Sequence, residues 1–373
     1  MSTTPRLAVL GGGLIGGSLA VACRRLAVGH VTLTDTSADV RRAAAGLGLA
    51  DEVAEDVAAC VRAADVVVAA VPAAVVGDVL EQAARYAPAD AVFTDVASLK
   101  GSVTLEVTSR LRAAGVDPAR FVGGHPMAGS ERSGPQAADA TLFQAATWVL
   151  TPTADTAAET LRRVSGVLRQ IGARVLALAP ARHDELVALV SHLPHLAACT
   201  LADVAGEASA RAGEVVLAVA GGGFRDTTRI AASDPRLWRG ILAGNRDAVL
   251  VALNRYEQRL TEVRRLLERG DDEALEALLG RAARARAQLV PKAVDDAVVD
   301  VVVALDDRPG ALATITTALG EAAINVEDLA MRHAEGRRGA LLVRIAAGEC
   351  ERALEVLTAR GLAAHAEPAD AAT

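Results

Sequence analysis

Leu7-Ala8-Val9-Leu10-Gly11-Gly12-Gly13-Leu14-Ile15-Gly16-Gly17-Ser18 is the stretch whose reading decides the fold. Four apolar residues run into three glycines, and an apolar stripe of helical spacing (Ile15, Leu19, Ala22, Leu26) follows, which predicts strand, turn and helix. Gly11, Gly13 and Gly16 satisfy G-x-G-x-x-G in that context, and each glycine has its own cause. Gly11 permits the tight turn, Gly13 lets the backbone approach a pyrophosphate, and Gly16 lets the helix pack close to the strand. Leu14 and Ile15 open the helix, so their N–H groups and the helix dipole face the anion. Asp35 ends the next β-rich run, where a carboxylate accepts both ribose hydroxyls of NAD and repels the 2′-phosphate of NADP. No arginine follows it before Arg41, so NAD is the expected cofactor.

Outward from this loop, β-branched runs alternate with alanine-rich helical runs as far as Leu178, the pattern of a mostly parallel sheet covered on both faces. The strands expected are Leu7–Leu10, Val31–Thr34, Val66–Val71, Ala91–Thr94, Phe121–Gly123, Thr147–Leu150 and Arg174–Leu178. After Pro180 the strand signal stops, and Val249, Leu250, Leu253, Leu260, Val263 and Leu267 recur at helical spacing. Asp234-Pro235 reads as a helix start, and Gly270-Asp271-Asp272 as one helix ending and another opening. From Val298 the order strand, helix, strand, strand, helix, strand is ferredoxin-like. The fold class expected is therefore a doubly wound α/β Rossmann domain (1–178), an all-α dimerisation domain (179–292) and a ferredoxin-like α+β domain (293–373).

Composition narrows the partners. The chain has 373 residues and a formal charge of −7, which disfavours nucleic acid and anionic membranes, so an anionic small molecule has to be met by placed arginines. Lys100 and Lys292 are the only lysines. Four scattered cysteines show neither zinc-site nor disulfide spacing and read as buried, reduced thiols. The N-terminal residues lack signal-peptide character, and Val66–Val76, broken by Pro72, is too short to span a bilayer; a cytoplasmic protein is expected.

Ligands of open α/β sheets bind beyond the carboxyl ends of the strands. Two loops there carry reactive groups: Asp95-Val96-Ala97-Ser98-Leu99-Lys100-Gly101 and Gly123-Gly124-His125-Pro126-Met127-Ala128-Gly129-Ser130-Glu131. His125, between glycines and a proline, is badly placed for core packing and well placed for proton transfer. In Ser191-His192-Leu193-Pro194-His195, Ser191 and His195 share a helical face, and Pro194 leaves the carbonyl near Val190 unbonded. HxxH spacing is compatible with a metal, but no third ligand stands near, so none is expected. Gly221-Gly222-Gly223-Phe224-Arg225-Asp226-Thr227-Thr228-Arg229 supplies Arg229 for a bidentate carboxylate contact, with Asp226 to orient it.

GGGLIGGS, DVASLKG, GGHPMAGSE, SHLPH and GGGFRDTTRIA, in this order, resemble the prephenate and arogenate dehydrogenases of tyrosine biosynthesis. The resemblance implies that His125 takes the proton of the ring hydroxyl as hydride leaves for NAD, and that Ser98 helps orient that hydroxyl and His125. It implies that Arg229 binds the ring carboxylate, that His195, Ser191 and Asp226 shape the pocket, and that Glu131 stands near its entrance. Gly222 and Trp238 would come from the partner subunit of a homodimer. Plainer readings stay open: Trp238 as interface core, Glu131 as a solvated acid, Lys100 as a helix-start cation near phosphate. No residue separates prephenate from arogenate as substrate, and a non-catalytic amino-acid or dinucleotide sensor is the third reading. Asp307-Arg308-Pro309-Gly310, with Asn325 beyond the helix, resembles the ligand loop of an ACT domain, which implies tyrosine as an effector; a purely structural appendage is the alternative.

Overall fold

The computed structural model describes residues 4–129, 132–212, 215–287, 298–306, 310–333 and 338–368. Its strands are β1 (Arg6–Leu10), β2 (His30–Thr34), β3 (Glu52–Val53), β4 (Val66–Ala69), β5 (Val92–Asp95), β6 (Phe121–Pro126), β7 (Thr147–Thr151), β8 (Arg174–Ala177), β9 (Val298–Asp306), β10 (Asp328–His333), β11 (Arg338–Ala346) and β12 (Ala364–Pro368). The first eight form one sheet in the order β3-β2-β1-β4-β5-β6-β7-β8. All neighbours are parallel except β6 and β7, which run antiparallel. This is the expected Rossmann arrangement, with its crevice where the order reverses beside β1. The two-residue edge strand β3 escapes a sequence reading because it is too short to show alternation.

β1 and β4 are buried along nearly their whole length, as strands covered on both faces are. Helix Leu14–Arg25 packs Leu19, Ala22 and Cys23 into this core; Leu26 lies beyond its end and is exposed. Burial pushes the thiols of Cys23 and Cys60 up to about 12, so both are inert at neutral pH. Cys199 and Cys350 are only half-buried, which corrects the expectation for those two.

Two compact units divide the chain: residues 1–184 together with 297–373, and residues 185–296. In the first unit the terminal module has the antiparallel order β10-β11-β9-β12, the ferredoxin-like fold. It is docked on the end of the large sheet. Val326 N donates to Val175 O of β8 (3.2 Å), and Arg169 Nη1 donates to Val326 O (3.1 Å). In helix Ala311–Glu321, a Cβ on Gly320 would land on the carbonyl oxygen of Ala177, so only glycine allows this approach. The module thereby covers an edge strand that would otherwise present unpaired backbone. Gly310 opens the helix with φ 86°, and the Asn325 amide contacts Glu327. Asp307 and Pro309 lie outside the described residues.

The second unit is helical: Leu193–Ala212, Val215–Ala218, Gly222–Thr228, Pro235–Gly244, Arg246–Arg269 and Asp272–Ala287. The predicted punctuation is in place. Asp234 accepts from Arg236 N (2.8 Å), and Gly270 closes its helix at φ 63°, in the left-handed region. Pro194 is tolerated in the second position of its helix because a π-turn over Ala188–His192 precedes it. The helical run Pro180–Arg211 reaches a mean hydropathy of 1.4 and is, by length and composition, long enough to cross a membrane. His192, Pro194 and His195 interrupt it, so it does not stand out in the sequence as an unbroken apolar run.

Candidate active site

The glycine loop has the shape a dinucleotide requires. Gly11 N donates to Thr34 O (2.8 Å) and the residue takes φ 110°, a conformation L side chains rarely adopt. A Cβ on Gly16 would land on the Gly11 carbonyl oxygen, whereas one on Gly13 would meet nothing within 4 Å. Gly13 is thus bare on the side where a pyrophosphate would lie. It is also the N-cap of helix Leu14–Arg25, with no side-chain cap and no acid in the first turn, so the helix presents its amides to an anion. Asp35 is fixed on both oxygens, accepting from Gly12 N (2.9 Å) and Ser37 N (2.9 Å). These residues fit a dinucleotide whose ribose hydroxyls meet a carboxylate. Arg41, six residues further on, folds back onto the backbone carbonyl of Asp35 (2.6 Å) and also reaches Glu55 (3.5 Å).

At the carboxyl edge of the same sheet, β5 ends in the fully buried Asp95, and β6 continues past the point where its glycines suggest a turn. Gly123 and Gly124 are there for close approach. A Cβ on Gly123 would sit 2.5 Å from Thr151 Oγ1, and one on Gly124 2.6 Å from the Asp95 carbonyl. His125 is therefore in the strand, opposite Val149 of β7, and not in the loop after it.

The β5–β6 ladder pairs only Phe93 with Phe121 and Thr94 with Val122. Beyond it, side chains take over the backbone of β6. Asp95 Oδ1 accepts from Gly124 N (3.1 Å), and Lys100 Nζ donates to Gly124 O (2.7 Å) while forming an ion pair with Asp95 Oδ2. Lys100 does stand at the start of helix Gly101–Ala113, but its side chain is fully buried and clamps the residue before His125. Burial lowers its pKa, and Asp95 opposes that shift. Ser98 lies half-buried between the buried Ala97 and Leu99, in the loop that this pair ties down.

Behind His125 stands a pair of residues that the motif reading overlooked. His125 Nδ1 lies 2.8 Å from His183 Nε2, and His183 Nδ1 lies 2.8 Å from Asp184 Oδ1. Asp184 also accepts from Lys100 N (2.9 Å) and Gly101 N (2.8 Å), capping helix Gly101–Ala113. His183 has no exposed surface, and burial lowers its pKa against the pull of Asp184. Burial alone would raise the pKa of Asp184; hydrogen bonds from His183, Lys100 and Gly101 outweigh it and hold the carboxyl below its usual range. A signal for the pair exists in the sequence: a His-Asp dipeptide shortly after β8, at the carboxyl edge where ligands of open α/β sheets bind.

In the helical unit, His195 stacks on Trp238 of the same chain with centroids 3.5 Å apart and planes 3° apart. Trp238 also meets His192 edge-on (6.0 Å), and His192 Nδ1 lies 3.2 Å from the Asn245 amide. Helix Pro235–Gly244 is what carries Trp238 onto His195. Burial lowers the pKa of His195. Ser191 falls in the π-turn, whose i→i+5 bonds shift it from the plain four-residue relation to His195 assumed from sequence. Gly222, Asp226 and Arg229 are exposed, the first two in helix Gly222–Thr228 and Arg229 in the 3-10 turn after it. Glu131 lies outside the described residues.

Residues 19–177 match the family model described as the nucleotide-binding domain of prephenate dehydrogenase, and residues 179–281 match that of its dimerisation domain. A cyclohexadienyl dehydrogenase of Zymomonas mobilis is 35% identical over 279 residues, 74% of this chain and 92% of its own. A prephenate dehydrogenase of Bacillus subtilis is 33% identical over 323 residues, 85% of each chain. Among solved structures, the prephenate dehydrogenase of Aquifex aeolicus in complex with hydroxyphenyl propionate and NAD+ superposes with a TM-score of 0.70. It is 31% identical, and the match covers 77% of this chain and 99% of that one.

Proposed function

Because the chain belongs to the prephenate dehydrogenase family, we propose that it converts prephenate to 4-hydroxyphenylpyruvate and CO2 with reduction of NAD to NADH. It is an NAD-dependent oxidoreductase. The observation that carries the specific reading is the hydrogen-bonded chain from half-buried His125 through buried His183 to Asp184, on the sheet edge that also bears the Gly11 to Gly16 loop. NAD, when bound, accepts the hydride from the ring carbon that bears the hydroxyl.

His125 takes the hydroxyl proton as that hydride leaves, so the oxygen becomes carbonyl-like. The bond to the ring carboxylate then breaks as CO2 departs, its electrons complete the aromatic ring, and the phenolate oxygen recovers the proton from His125. Substrate dianion and NAD cation become product monoanion, CO2 and NADH with no net proton, so the histidine is base and then acid. Ser98 orients the hydroxyl, and the Lys100–Asp95 clamp fixes the strand from which His125 projects.

Arg229 is assigned to the ring carboxylate, with Asp226 to orient it and His195, Ser191 and Trp238 shaping the side-chain end. Arg229→Ala is expected to raise substrate KM about 10–100-fold, the loss of one charge-assisted hydrogen-bonded contact. Steady-state kinetics at saturating NAD measure this, and an unchanged KM would remove Arg229 from the site. A homodimer accounts for the apolar Leu189, Val190, Leu201 and Val204, which are 42–66% exposed in the helices of one chain. The family model matched over those helices is a dimerisation domain. The terminal module is assigned to tyrosine sensing through Gly310 and Asn325, with Asp307 and Pro309 preceding Gly310 in the sequence.

The test is NADH formation by the purified chain with prephenate and with arogenate, each with NAD and NADP, with and without tyrosine. Turnover of prephenate with NAD, suppressed by tyrosine, is expected. Arogenate carries the same cyclohexadienyl ring with an amino group in place of the side-chain keto group, so turnover of arogenate alone would transfer the assignment to that substrate. Absence of NADH with either would leave a sensor. An enzyme unaffected by tyrosine would make the terminal module structural.

A further inference from the structure

We infer that His183 and Asp184 are positioning residues that set the tautomer of His125, so that its proton sits on Nδ1 and its Nε2 is the nitrogen that accepts the substrate proton. The inference rests on the assignment of His125 as the base, and it adds how that base is prepared. It follows from counting donors along the chain. Asp184 takes backbone N–H bonds on both oxygens, from Lys100 (2.9 Å) and Gly101 (2.8 Å), as a carboxylate does. A carboxylate only accepts, so the 2.8 Å contact with His183 puts the imidazole proton on Nδ1 of His183. A neutral imidazole with its proton on Nδ1 has Nε2 as an acceptor. The 2.8 Å contact with His125 must then be donated by His125 Nδ1.

The surroundings keep His183 neutral. It is fully buried, with Asp95 and Lys100 facing it from β5 and the start of helix Gly101–Ala113, Asp184 beside it on its own helix and His125 from β6. Burial and Lys100 disfavour its cation, and the nearby carboxylates only partly offset them. Without this chain the proton of His125 could sit on either nitrogen, and the fraction with Nε2 protonated would be useless as a base. When His125 takes the hydroxyl proton, His183 Nε2 continues to accept from Nδ1–H, holding the imidazolium until the phenolate takes the proton back.

The test is histidine-selective 15N labelling of the full chain without substrate, with the resonances assigned from His125→Asn and His183→Phe. Both His125 and His183 are expected to carry their proton on Nδ1. In His183→Phe, which keeps an apolar ring of similar size, His125 is expected to show a mixed tautomer, and kcat to fall about 10–100-fold with substrate KM within threefold. A purely structural role for His183 would lower thermal stability without moving the His125 tautomer. Finding the His125 proton on Nε2 in the unsubstituted enzyme overturns the inference whatever the variant does. So does a His183→Phe enzyme with full kcat alongside an impaired His125→Asn enzyme. Full activity of His125→Asn would instead remove His125 as the base, an outcome recognised from that variant alone.

Discussion

His125→Asn is expected to lower kcat about 10²–10⁴-fold while substrate KM stays within about threefold. Asparagine fits the space and can still accept a hydrogen bond from the ring hydroxyl, but it cannot carry the proton as hydride departs. The substrate's charged ends are assigned to other residues, so ground-state binding has little reason to change. The fold is not at risk. His125 is the one half-buried residue of β6, and its neighbour Gly124 is held through both backbone groups by Asp95 and Lys100. The measurement is kcat and KM for the accepted substrate at saturating NAD, with thermal unfolding as the control for structure. Turnover within a few-fold of the parent enzyme would exclude His125 as the base.

Most of the nucleotide-binding half was legible because its signals are local. Strand, glycine turn, helix and Asp35 fall within one βαβ unit, and each residue there is the type that geometry requires. The ferredoxin-like order was legible for the same reason. What escaped depends on contacts between residues distant in sequence. Gly123-Gly124 carries a turn signature, yet the two glycines extend the strand because Thr151 and the Asp95 backbone leave no room for a Cβ. Gly320 looks like an ordinary weak point in a helix, and its reason, the Ala177 carbonyl, lies over a hundred residues away. Asp184 is separated from the helix it caps by more than eighty residues. Sequence periodicity says where a side chain points along its own element; it does not say what arrives opposite.

Lys100→Met is expected to destabilise the carboxyl ends of β5 and β6 by about 3–5 kcal/mol, the range for removing one partner of a buried ion pair. The cost comes less from the lost attraction than from what remains. Asp95 has no exposed surface, and in the variant its carboxylate would keep only the N–H groups of Ala97 and Gly124. Gly124 O, next to His125, would lose its donor in the same step. Methionine matches the lysine stem in length, so packing is nearly conserved and the effect is electrostatic. Hydrogen exchange of the β5 and β6 amides reads the local opening free energy without assuming that the whole chain unfolds as one unit. Adding Asp95→Asn to Lys100→Met removes the orphaned charge and should recover part of the loss, so the double variant is expected to be less destabilised than the sum of the singles. If Lys100→Met exchanges as slowly as the parent enzyme, the clamp contributes little, and the register of His125 must then come from its pairing with β7.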